Sequence, residues 1–283
     1  MNERPVSRPE AANMMRRTAA LASALCSIFL VADVVAATPA GLSAAQILER
    51  NSAARGGLAA WRSVQAIAYS GHLQAGGQLN TELPFTLTMK RPRNSRFELQ
   101  FAGHTAVQVY DGAQGWKVRP FLGRDDVEPF SSDELKSAAK SQDLDGVLID
   151  AAAKGNRVDV EATEPVEGHS AYRLKVTLRD GTTRHVWVDT QSFLEVKLDG
   201  EPRRLNGRMR GVAVYCRDYR AVNGLMIPFV LETAVEGVRE THKMTIDKVV
   251  LNPVVDAGAF SRPGPLLAAN TPARVPGPIT NKH

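Results

Sequence analysis

From Val64 onward apolar residues recur with a period of two, and this alternation restricts the chain to sheet-based folds more tightly than any other feature. Leu83, Phe85, Leu87 and Met89 alternate with Pro84, Thr86, Thr88 and Lys90. Phe97, Leu99 and Phe101 alternate with Arg96, Glu98 and Gln100, and Tyr172, Leu174, Val176 and Leu178 with Arg173, Lys175, Thr177 and Arg179. Successive side chains of a strand point to opposite faces, so each segment is apolar on one side and wet on the other, as in half-buried antiparallel strands. Turn signals stand between the segments at Asp111-Gly112, Asp180-Gly181, Asn223-Gly224 and Glu236-Gly237. Asp180-Gly181 has the residue types of a two-residue type I′ hairpin. Eleven or twelve strands can be placed this way, the last at 243–251.

Few helices interrupt the strands. Ser43 with Gln46 is a capping-box start, and Ile47, Leu48, Ala54, Leu58 and Trp61 recur at helical spacing. Gly56 and Gly57 cost a helix about 1 kcal/mol each relative to Ala, so they are expected to kink or end it. A second helix is capped by Ser131 and Glu134 and carries Leu135, Ala138 and Ala139, with a looser segment following through Leu144, Val147 and Leu148. These elements make the chain mainly β (α+β), a large antiparallel sheet with one apolar face to cover. Alternation alone does not separate a filled two-sheet sandwich from one curved sheet closed by helices.

The ends of the chain are of a different character. Arg16 and Arg17 precede an apolar run from Thr18 to Val35, and Val34-Val35-Ala36 or Val35-Ala36-Ala37 meets the small-residue cleavage preference. Residues 1–36 are therefore expected to be a cleavable signal peptide that delivers the protein to the periplasm. Asp33 falls inside the run, which is short of the about 20 clean apolar residues that a membrane span needs. Cys26 follows Leu25, where a lipid-attachment site needs a small residue, so it reads as part of the signal peptide. That leaves Cys216 alone in the mature chain, excluding an intrachain disulfide. Residues 37–263 form the expected domain, and 264–283, rich in Pro, Ala and Gly, a disordered tail.

The composition excludes several functions. The formal charge of +5 is spread along the chain, whereas nucleic-acid binding wants a concentrated basic face, so no nucleic-acid partner is expected. Gly-x-Ser-x-Gly is absent, and the six histidines (His72, His104, His169, His185, His242 and His283) are scattered, with no i, i+4 pair and no cysteine-rich cluster to hold zinc. His72 shares a strand face with Ser70 without an identifiable carboxylate partner. Asp143, Asp145 and Asp150 are too irregularly spaced for a calcium loop, and Cys216 among Val212 and Val214 reads as a packed thiol. No catalytic residue, metal or cofactor is expected, and the chain is not read as an enzyme.

One ordered set of short motifs is familiar. Met89-Lys90-Arg91-Pro92, Arg96-Phe97, Tyr110-Asp111-Gly112, Trp116 and Pro120-Phe121 together resemble the signature of the LolA-type periplasmic lipoprotein carriers. The likeness extends from Ala45-Gln46-Ile47-Leu48-Glu49 and Gly56-Gly57 to Asp218-Tyr219, Asn223-Gly224-Leu225, Pro228-Phe229, Phe260 and Pro263, as in the outer membrane lipoprotein-sorting proteins. It departs at Ser95, where the carrier has a bulky aromatic. The resemblance implies an incomplete antiparallel β-barrel of about eleven strands whose concave apolar face is covered by helices. It implies a monomeric periplasmic carrier that binds the acyl chains of a lipoprotein or lipid, received from an inner-membrane donor protein and passed to an outer-membrane acceptor. An envelope sensor of the same fold that binds lipid-like ligands is the alternative. On this resemblance Arg91 is the clasp of the helical lid, and Phe85, Leu87, Met89, Phe97, Leu99, Phe101 and Trp116 line the cavity.

Overall fold

A computed structural model describes residues 41–75, 82–141 and 143–264. The expected signal peptide, Cys26 and all but the first residue of the expected tail lie outside the described residues. The described chain begins with α1 (Ala44–Ala54) and α2 (Leu58–Ser63), followed by β1 (Ala66–Ala75), β2 (Glu82–Lys90), β3 (Asn94–Phe101), β4 (His104–Tyr110), β5 (Gly115–Arg119) and β6 (Arg124–Pro129). Helix α3 (Ser132–Ser141) leads through a run of turns into β7 (Arg157–Val166), β8 (His169–Thr177), β9 (Thr183–Asp189) and β10 (Glu195–Asp199). A small hairpin, β11 (Arg203–Leu205) with β12 (Arg208–Arg210), precedes β13 (Val212–Val222), β14 (Leu225–Val235) and β15 (His242–Leu251).

Thirteen strands form one antiparallel sheet in the order β6-β5-β4-β3-β2-β1-β15-β14-β13-β10-β9-β8-β7, two more than the barrel implied by the resemblance. Its edges, β6 and β7, are not paired with each other, so the sheet is an incomplete barrel. Both edges carry charge, Arg124, Asp125, Asp126 and Glu128 on one and Arg157, Asp159, Glu161 and Glu164 on the other, which discourages pairing with another chain.

The turns that build this meander follow residue chemistry. Asn223 and Gly224 have φ of 48° and 85° and separate the directly paired Val222 and Leu225, which is a type I′ hairpin. Asp180-Gly181 closes differently from the sequence expectation. Thr177 pairs with Thr183, Leu178 N–H donates to Thr182 O and Gly181 N–H to Leu178 O, so the loop is longer than two residues and Gly181 alone takes positive φ.

Register decides which side chains face inward. Phe85, Leu87 and Met89 stand opposite Leu99, Phe97 and Ser95, and beside Gly71, Tyr69 and Ile67. Their face carries the main core, in which Trp61 of α2, Leu144 and Ile149 pack over Ile67, Phe85, Leu225 and Ile227. A second cluster packs Ile47 of α1 and Leu148 over Leu174, Val176, Val186 and Val188. Two short helices and residues 144–149 therefore cover one face of the sheet.

Candidate functional site

Helix α1 presents Ile47, Asn51 and Arg55 at i, i+4 and i+8 toward the sheet, and all three are buried. Sequence spacing names Ile47, Leu48, Ala54, Leu58 and Trp61; Ile47 and Trp61 are indeed buried, but Asn51 and Arg55 are not among them, because polar residues are normally excluded from a buried stripe. Arg55 is admitted because it is paired, and Asn51 because its amide N–H is, although its Oδ1 is buried without a partner among the described residues. The Asn51 amide donates to Phe193 O at 2.8 Å, and Arg55 Nε donates to Met226 O at 3.1 Å. Arg55 Nη1 meets Glu195 Oε1 at 2.7 Å, each side chain 9 % exposed, and the guanidinium lies 4.7 Å from the centre of the Trp61 ring. Trp61 returns the contact, its indole N–H donating to Arg55 O at 2.9 Å.

This pair stands in the wall of a cavity of about 360 Å³. The floor comes from β9, β10, β13 and β14, with Val186, Leu198, Ile227 and Leu231 as its apolar part, and the roof from residues 143–148. Asp218 has φ of 54° and breaks the alternation of β13, so Cys216 and Tyr219, three residues apart, both reach the wall. Tyr219 donates its hydroxyl to Glu195, at 2.9 Å to the carbonyl and 3.2 Å to the carboxylate. Desolvation, and then the Glu195 charge, pushes the Cys216 thiol up to about 12, which keeps it a neutral, unreactive wall group. Burial also raises Tyr69 to about 12, against the pull of Arg55, and lifts Tyr219 well above the ordinary phenol value. Desolvation disfavours the Arg55 charge, but Glu195, Tyr219 and Tyr69 more than offset it, so its pKa lies above the usual guanidinium value.

The roof is fastened by ion pairs. Arg91 Nη2 meets Asp145 Oδ2 at 2.7 Å, and Lys154 Nζ holds Asp145 Oδ1 at 2.5 Å. Arg91 also donates to the carbonyls of Val64 at 2.9 Å and Trp61 at 3.3 Å, at the end of α2. Arg62 of α2 grips Asp150 through both carboxylate oxygens at 2.7 and 2.9 Å. The acidic residues that looked too irregular for calcium are thus the anchors of the roof.

The structure places the other residues named from the sequence as follows. Phe85 and Met89 are buried in the main core, with Leu87, Phe97 and Leu99 packed against it. Phe85 and Phe97 stack at 6.0 Å. Phe101 is half-buried on the same face, opposite His104. Trp116 pairs with Val109, which stands opposite Arg96, so the register puts it on the reverse face from Phe97. There it joins Val107, Val118 and Phe260, and Arg96 Nη1 donates to Ala259 O at 3.2 Å beside them. None of these seven stands among the walls of the cavity, whose sheet side comes mainly from β9, β10, β13 and β14 with Tyr69 of β1 at its margin. His72 does have a carboxylate partner, Asp247 Oδ2 at 2.8 Å across β15, but both side chains are largely in solvent. Sequence separation hid that pair. Among the described residues no group of three or more His, Cys, Asp or Glu side chains could hold a metal ion.

No protein-family model matches this sequence, and no curated protein does. Solved structures do resemble it. A domain assigned to the outer membrane lipoprotein-sorting proteins of Vibrio parahaemolyticus aligns over 76 % of this chain and 94 % of its own, with a TM-score of 0.50 and 14 % identity. The fold is that of the outer membrane lipoprotein-sorting domains. A DUF1329 family protein from Desulfovibrio piger aligns over 76 % of this chain and 97 % of its own, with a TM-score of 0.51 and 11 % identity. A LolA superfamily protein from Nitrosomonas europaea aligns with a TM-score of 0.49 and 16 % identity, over 78 % of this chain and 98 % of its own. In this example of the sorting fold, the polar wall residues Arg55, Glu195 and Tyr219 escaped sequence reasoning. Asp218-Tyr219 belonged to the resemblance, but Arg55 and Glu195 are separated by 140 positions and have no local signature.

Proposed function

We propose that this protein is a periplasmic carrier that shields an acyl chain of a lipid or lipoprotein in the cavity beneath residues 143–148, working by binding rather than bond-making. The observation that carries the reading is the cavity itself, about 360 Å³ between an apolar sheet face and a roof held by side-chain ion pairs. That volume lies near the lower end of small-molecule sites, so a full acyl chain requires the roof to lift. Burying the chain would contribute about 0.8 kcal/mol per methylene, enough for a chain of ordinary length to offset opening. Neutral Cys216 and Tyr219 and the internally paired Arg55–Glu195 suit a wall that holds hydrocarbon without offering it a free charge. The sorting fold supports the lipid-carrier class, an inner-membrane donor and an outer-membrane acceptor complete the reading, and Arg91 acts in it as the clasp of the roof.

The test is displacement of a fluorescent fatty acid. Wild type should take up the probe and release it to unlabelled fatty acid, while Leu231→Trp, which fills the floor, should bind at least about tenfold more weakly. Equal binding by the two proteins would remove the cavity from the function.

A further inference from the structure

The hairpin β11–β12 lies outside the large sheet and reads Arg203-Arg204-Leu205-Asn206-Gly207-Arg208-Met209-Arg210. Arg203 pairs with Arg210, Arg204 with Met209 and Leu205 with Arg208, around Asn206 and Gly207 at φ of 50° and 75°. Directly opposed residues share a face, so one face carries Arg203, Arg208 and Arg210 around Leu205, and the other Arg204 beside Met209.

None of these four arginines forms an ion pair with a carboxylate among the described residues, although most arginines of the sheet do, and the nearby Glu236 accepts from Gly211 N–H instead. The one side-chain hydrogen bond they make here is from Arg204 to Gly207 O at 3.2 Å. Leu205 and Met209 are nevertheless exposed, Met209 by 56 %. The neighbouring β14–β15 loop adds exposed Val238 and Arg239, along with Glu236 and Glu240, and a Cβ at Gly237 would lie 3.6 Å from Arg210 Nη1.

Like charges directly opposed on a two-stranded ribbon are unfavourable, and so are apolar side chains left in water. A surface that neutralises the arginines and accepts Leu205 and Met209 relieves both costs. We propose that this hairpin docks the protein on an anionic phospholipid surface, its arginines on the phosphates and Met209 and Leu205 in the acyl boundary. Leu198, Asp199, Gly200 and Glu201, immediately before the hairpin, belong to the cavity wall, and Arg184 of that wall is paired with Glu201. Docking would therefore bring the cavity rim against the membrane; that delivery role rests on the carrier reading above.

Co-sedimentation with vesicles tests the docking without any ligand, so an absence of fatty-acid uptake would refute the carrier and leave this result standing. Wild type should bind vesicles containing phosphatidylglycerol, and raised salt should weaken that binding, while pure phosphatidylcholine should bind far less. Arg203→Gln, Arg204→Gln and Arg208→Gln combined should weaken it by about fivefold per arginine. Met209→Ser should cost about tenfold with the charge intact. If the triple variant unfolds, Met209→Ser and the salt dependence of wild type still decide. Equal sedimentation of wild type and variants, equal binding to both vesicle types, or arginine-dependent binding to polyglutamate without binding to vesicles would overturn the proposal.

Discussion

Arg91 and Asp145 meet at 2.7 Å, and the carboxylate, 3 % exposed, is held from its other side by Lys154. One guanidinium so joins three elements, the end of β2, the last carbonyls of α2 and the roof of the cavity. A longer ligand must break this contact to lift the roof, so the clasp competes with filling. Arg91→Leu is expected to lower melting stability by about 1–3 kcal/mol, because the buried Asp145 keeps Lys154. It should also slow release of a bound acyl probe to acceptor vesicles. Stopped-flow release rates for wild type and variant would decide, and equal rates would make Arg91 an ordinary rim arginine.

The Arg55–Glu195 pair should behave as a buried ion pair. Glu195→Ala leaves the Arg55 charge with only Met226 O and the Trp61 ring as partners and should cost about 3–5 kcal/mol in urea denaturation. The double variant Arg55→Met, Glu195→Leu removes both charges and should recover most of that loss. A double variant as unstable as Glu195→Ala would show that packing against Trp61, not charge, dominates the site.

Alkaline pH should destabilise the protein through the same wall. Cys216 is raised from 9.0 to about 12 and Tyr69 from 10.0 to about 12, so the native state keeps protons that the unfolded chain releases. Stability from these groups is whole below pH about 9 and is lost progressively as pH climbs toward about 12. Urea midpoints measured from pH ~8 to ~10.5 should fall, and Cys216→Ala should flatten part of the slope. Iodoacetamide should label Cys216 in urea but scarcely at all in the native protein at pH ~8.

Gly56 has φ of +104°, and a Cβ there would lie 2.4 Å from Gly224 O. Gly56→Ala should therefore cost about 2–4 kcal/mol, combining backbone strain with overpacking. Because Gly56 follows Arg55, the variant should also weaken fatty-acid uptake. Gly57 has open space at its Cβ position but a φ of +94°, so Gly57→Ala should be milder, by calorimetry on both variants.

The sequence alone determined most of the strands (eleven or twelve against the fifteen described), most of the turns, both capping boxes and the end of the first helix at its glycine pair. These are short-range matters: alternation, caps and backbone freedom act within a few residues. Ser43 with Gln46 and Ser131 with Glu134 cap as their spacing implies. Only the tertiary structure decided where the cavity lies. Phe85, Leu87 and Met89 do face the apolar side, but whether such a face meets protein or open space depends on what the rest of the chain lays over it. Ile149 packs into the core with Ile67, Phe85 and Met89, while residues 143–148 bridge β9, β10, β13 and β14 and leave room, with Trp61 and Leu144 standing at the boundary between the two. Trp116 shows the same limit, since one residue of register sends a side chain to the opposite face. The buried polar wall was invisible for a related reason. Arg55, Glu195 and Tyr219 are each unfavourable inside a protein alone and become tolerable only together, and nothing local in the chain records that they meet.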